Sequence, residues 1–134
     1  MFDRAVWDEL NKQALHEQML TEMARIGSLG ELSMYVRTND PGNYPHFHII
    51  DENTMGQQFH CCVRIDCAQY FKHTGKEDVL NSSKRKELVE FLTSASEDEP
   101  EKTNWQVVLV EWNRNNSNKK VPLDLTMPNY KDLK

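Results

Sequence analysis

Apolar residues recur at helical spacing over residues 3–26. Val6, Leu10, Ala14, Met19, Met23 and Ile26 make a stripe that Trp7, Leu15 and Leu20 widen. Asp3 is the expected N-cap and Gly27 the expected stop. The pattern then changes period. In ELSMYVRT, residues 31–38, Leu32, Met34 and Val36 alternate with polar or aromatic partners, which predicts a half-buried strand. NDPGN, residues 39–43, is dense turn chemistry. A second strand is expected over His46–Asp51 and a third over residues 58–66. A tight hairpin loop at Asn53–Met55 would join them.

The third strand sorts its residues into two faces. Phe59, Cys61, Val63, Ile65 and Cys67 fall on one, and His60, Cys62, Arg64 and Asp66 on the other. Farther along, Leu88, Phe91, Leu92 and Ala95 follow helical spacing behind a Ser83 cap. Trp105, Val108, Leu109 and Trp112 fit a second helix at i, i+3, i+4 and i+7, although the run from Val107 to Val110 suits a strand on propensity. Thr103 as N-cap favours the helix. A short edge strand is expected over Val121–Leu125, where Pro122 forbids a central position. These elements predict an α+β fold: a small antiparallel sheet of three to four strands with helices packed on one face. Residues 1–28 would form an N-terminal amphipathic helix and residues 29–134 a compact domain.

The length of 134 residues suits one hydrophobic core. No run approaches the roughly 18–20 apolar residues of a membrane span, and the N-terminus lacks the pattern of a secretory signal. The expected location is cytoplasmic. A net charge of −5 disfavours nucleic acid as a partner without excluding it. Cys61, Cys62 and Cys67 are odd in number and crowded together, which speaks for free thiols rather than disulfides.

The chemistry concentrates in YPHFHIID, residues 44–51. His46 and His48 share one face of a strand. With the tight hairpin, His48 would stand opposite His60 and His46 opposite Cys62. Imidazole and thiolate are both zinc ligands, so His46, His48, His60 and Cys62 form a candidate metal site. The plainer alternative is a solvated sheet face on which His46, His48, His60 and Arg64 are available for binding. No cofactor is expected on that view, and zinc is the alternative. The chain has no CxxC pair and no HExxH helix. A cysteine nucleophile would need a histidine base and an orienting acid such as Asp51 or Asp66. Lys84, Arg85 and Lys86, with Arg114, Lys119 and Lys120, read as a solvated basic surface.

Two resemblances bear on function. His46 and His48 supply two of the alternating histidines of the histidine-triad nucleotide hydrolases, but Ile50 holds the third place. The order of features over residues 31 to about 125 resembles a small bacterial and phage family of unknown function with a PPHFHV signature. Asn39, Asp40, Pro45, His46, Phe47 and His48 match that pattern, Tyr44 replaces its first proline, and the turn is longer by Pro41-Gly42-Asn43. This resemblance implies a compact α+β domain encoded in toxin–antitoxin-like gene pairs. Its function would be to bind a protein partner; the N-terminal helix, which lies outside the resemblance, would offer an apolar stripe for self-association. The alternative is a metal-dependent or nucleotide-directed enzyme built on His46, His48 and His60.

Overall fold

In the computed structural model, residues 23–38, 44–72 and 75–134 are described. Strands β1 (Met23–Leu29), β2 (Leu32–Arg37), β3 (His46–Asp51) and β4 (His60–Arg64) pair in sequence order as one antiparallel sheet. Helices α1 (Ser82–Thr93) and α2 (Asn104–Asn115) follow, and a short 3-10 turn at Tyr130–Asp132 ends the chain. The expected α+β class and its antiparallel sheet are therefore present. Among the described residues, no helix is long and apolar enough to cross a membrane.

Most of the helix expected over 3–26, and the turn expected over 39–43, lie outside the described residues. The last turn of that helix is described, and it is strand: Met23 pairs with Arg37 and Ala24 with Val36. The division expected between residues 28 and 29 falls inside β1. Two local features explain the correction. Gly30 takes φ +62° in a two-residue connection between the paired Leu29 and Leu32. A glycine at the first position is what a tight hairpin of this length needs. The register also shifts between Arg25 and Gly27, a bulge that absorbs one residue. Gly27 is not a helix stop. A Cβ there would lie 2.6 Å from the Phe91 ring of α1, so the absent side chain makes room for the helix.

One sheet face carries Met34, Val36, Phe47, Ile49, Cys61 and Val63. It packs with Leu88 and Leu92 of α1 and with Val108, Leu109 and Trp112 of α2 in one buried cluster. Asn81, not the expected Ser83, caps α1, its side-chain oxygen accepting from Lys84 N at 2.8 Å. Thr103 caps α2 through a reciprocal box with Gln106, as expected.

The edge strand expected over Val121–Leu125 is absent. Side chains of α2 capture that segment instead: Asn113 bonds both the N–H and the carbonyl of Val121, and the indoles of Trp112 and Trp105 donate to the carbonyls of Lys119 and Leu125. Backbone polar groups satisfied this way have no need of a sheet partner. The last residues return to β4, where Tyr130 Oη donates to Arg64 O at 2.6 Å.

Candidate metal centre

Alternation along β3 sends Phe47 and Ile49 to the helix side and His46 and His48 to the other. The wet face expected for the two histidines is not wet: His46 is 0% and His48 2% exposed. Tyr35, Ile50 and Cys62, which share their face by register, are buried too.

The β3–β4 register differs from the expected one by two residues. His48 stands opposite Cys62, His46 opposite Arg64, and Ile50 opposite His60. The cause is Asp51. Its carboxylate accepts from Phe59 N at 2.9 Å, from Thr54 N at 3.1 Å and from the Thr54 hydroxyl, while its carbonyl accepts from Gly56 N. The Thr54 hydroxyl, more than any other contact, holds the Asp51 carboxyl below its usual range. These bonds open the connection to Glu52–Phe59, with Met55 and Gly56 at positive φ, in place of a tight Asn53–Met55 loop. A two-residue slip preserves the face of every side chain, so the cluster survives with new partners.

Within it, His48 Nδ1 lies 2.9 Å from His60 Nε2, and Cys62 Sγ lies 3.3 Å from each. The three ligand atoms all fall within 4.8 Å of one another. The two imidazoles are within 16° of parallel, with centroids 5.2 Å apart. A nitrogen separation so much shorter than the centroid separation means the rings meet head to head rather than face to face. This is the geometry of an N–H···N hydrogen bond, flanked by a sulfur. A tetrahedral zinc ion with bonds of about 2.05 Å to nitrogen and 2.3 Å to sulfur would space two nitrogens by roughly 3.3 Å, and nitrogen from sulfur by roughly 3.6 Å. The observed triangle is smaller by a few tenths of an ångström on each edge. Burial lowers the proton affinity of His60, with Glu77 the largest opposing influence. A neutral imidazole is the ligand form.

Not every expected residue joins the cluster. His46 Nδ1–H donates to Tyr44 O at 2.7 Å, and its ring lies among those of His48, Phe71 and Trp112. It stands beside the group of three rather than in it. Arg64 is held by Asp66 through two bonds of 2.8 and 2.7 Å and stacks 3.8 Å over the Tyr44 ring. Its role is to tie the end of β4 to the segment before β3. Asp51 and Asp66 are thereby committed to the loop and to Arg64, and neither orients the clustered histidines. Cys61 faces the core, where burial pushes its thiol up to about 12. Burial also raises the Cys67 thiol. Of the three cysteines, Cys62 is the one placed against imidazole.

Two of the basic residues at the start of α1 have internal partners. Lys84 pairs with Glu87, and Arg85 donates to the carbonyls of Leu80 and Lys131. They serve the helix and its junction with the chain end.

Sequence reasoning missed Tyr35, which pairs with His48 across β2–β3. Its hydroxyl donates to Glu52 at 2.8 Å, and Glu52 also accepts from Arg25 at 3.0 Å. Burial first, and Glu52 second, push the Tyr35 hydroxyl up to about 12. The alternation Leu32–Met34–Val36 already placed Tyr35 on the histidine face, so the signal was present. Comparison with protein-family models, with curated proteins and with solved structures finds no match to this chain.

Proposed function

We propose that this protein is a metal-binding domain in which His48, His60 and Cys62 hold a zinc ion across the β3–β4 hairpin. The grouping of two imidazole nitrogens and one thiol sulfur within 4.8 Å of one another carries the reading. Two neutral imidazoles and a thiolate form a donor set suited to zinc. An ion there would join two strands through side chains, so its binding energy would add to folding. Burial of His46 and His48 counts against the partner contact that an open face would have offered.

The test is metal analysis of full-length protein prepared without a histidine tag, followed by zinc titration of the chelator-treated chain. One equivalent of zinc is expected, and His48→Ala or Cys62→Ser should abolish it. Protein that neither retains zinc nor gains thermal stability on adding it would overturn the proposal.

A further inference from the structure

We propose that residues 1–22 of this chain dock on the histidine face of the sheet and cover the candidate metal centre. The proposal stands on burial and chain length, so it holds with or without zinc at the site.

Six buried residues from three strands share that face: Ser33 and Tyr35 on β2, His46, His48 and Ile50 on β3, and Cys62 on β4. A sheet face open to water leaves its side chains exposed, so atoms must lie over these six. The helices do not supply them. α1 and α2 pack with Met34, Phe47, Ile49 and Cys61 on the opposite face, and Tyr35, Ile50 and Cys62 stand outside that cluster. Described contacts reach the two ends of the face. The Phe71 and Trp112 rings meet His46 at one end, while Gly56 approaches Ile50 and Glu52 bonds Tyr35 at the other. His48 and Cys62 lie between. Arg25 and Ser28, beside this face on β1, are exposed. The cover therefore spans β2 to β4 and stops short of the edge strand.

Length and pattern select the occupant. Of the stretches outside the described residues, 39–43 has five residues, 73–74 has two and 1–22 has twenty-two. As a helix, the last would run about 33 Å, against roughly 14 Å from His46 to Ile50. A helix with its side chains is about 10–12 Å across, close to the two strand spacings of about 4.8 Å each between β2 and β4. Val6, Trp7, Leu10 and Ala14 supply an apolar stripe on one side. The segment joins the sheet at Met23, which pairs with Arg37, two residues from Tyr35. Its attached end is thus already beside the face. Docked there, it closes the middle of the centre and leaves half-buried His60 as the approach from solvent.

The experiment uses the full, metal-free chain. In wild type, nuclear Overhauser contacts should join the methyl groups of Val6, Leu10 and Ala14 to Tyr35, His48 or Ile50. A sample mixing labelled and unlabelled chains should show these contacts to be within one chain. Contacts found only between chains would put a second copy's segment on the face and overturn the proposal, as would their absence. Thiol labelling gives a second reading. Leu10→Glu should make Cys62 react with a maleimide at least about tenfold faster, because a charge on the stripe opposes docking. Lys12→Glu, on the other side of the stripe, should leave Cys62 protected, and Cys61 on the helix face should stay protected in both. A Cys62 rate in Leu10→Glu equal to wild type would also overturn the proposal. Should Leu10→Glu release Cys61 as well, the variant has unfolded and the wild-type contacts decide alone.

Discussion

His48 Nδ1 and His60 Nε2 point at one another across 2.9 Å, with Cys62 Sγ 3.3 Å from both. Three donors from two adjacent register positions on one face of the hairpin thus share a space narrower than an ion would fill. Loading a metal must spread them by a few tenths of an ångström and displace the proton between the rings. The energetic consequence is measurable. At a free zinc concentration one hundred times the dissociation constant, binding adds about 2.7 kcal/mol to stability. For a chain of this length that raises the melting temperature by about 10 °C. His48→Ala and Cys62→Ser should erase the increment, which differential scanning calorimetry with and without zinc would record. An equal zinc response in wild type and both variants would place the ion elsewhere.

Phe47 points the opposite way from its two histidine neighbours and is fully buried, its ring edge-on to Tyr130 at 5.9 Å. Phe47→Ala should cost about 3–5 kcal/mol as a large-to-small core change. Urea unfolding would show this as a lower midpoint with an unchanged slope. A cost below 1 kcal/mol would contradict the packing described.

Gly27 and Phe91 are coupled by the space between them. Gly27→Ala places a Cβ 2.6 Å from the Phe91 ring and should cost about 1–3 kcal/mol through forced displacement of α1. Phe91→Leu relieves the conflict, so the double variant should lose less than the sum of the singles. Strict additivity in a double-mutant cycle would show that the ring does not press on Gly27.

The caps give a sharper contrast. Asn81→Ala and Thr103→Ala should each cost about 1 kcal/mol, since each removes a side-chain acceptor from a helix start. Ser83→Ala, inside α1, should change stability by less than about 0.5 kcal/mol. Equal losses at Ser83 and Asn81 in thermal melts would reassign the cap.

Alkaline pH should unfold the protein through its buried tyrosines. Burial raises the hydroxyls of Tyr35, Tyr70 and Tyr130, with Tyr35 reaching about 12. Between an unfolded value of about 10 and the folded value, the unfolded chain holds fewer protons. Stability is therefore fully present below about pH 10 and declines as pH rises toward 12. Tyr35→Phe should flatten that decline. Tyrosinate absorbance followed alongside circular dichroism would check it: ionisation of these groups well before the loss of structure would refute the assignment.

Residue periodicity alone determined which side of β2, β3 and β4 faces the helices. Phe47, Ile49, Cys61 and Val63 alternate with His46, His48 and Cys62, and a strand has one way to satisfy that pattern. Even a register error of two residues left the two faces intact, because the side-chain period is two. Thr103 and the spacing from Trp105 to Trp112 likewise announced α2 from local chemistry.

What depended on distant partners was not legible. Met23 and Ile26 fit a helical stripe until β2 offers its edge and α1 needs the gap at Gly27. The glycine at residue 30 was the available signal for that hairpin. Val121–Leu125 has strand-like residues, but Asn113 and the Trp105 indole take the hydrogen bonds of its two ends first. The His48–His60–Cys62 triangle depends on the register that Asp51 sets through Thr54 and Phe59, and on the burial of a face that alternation marks as polar. Side-chain polarity specifies which residues share a face. Whether that face meets water, and which atoms meet on it, is decided by loop hydrogen bonds and by tertiary packing.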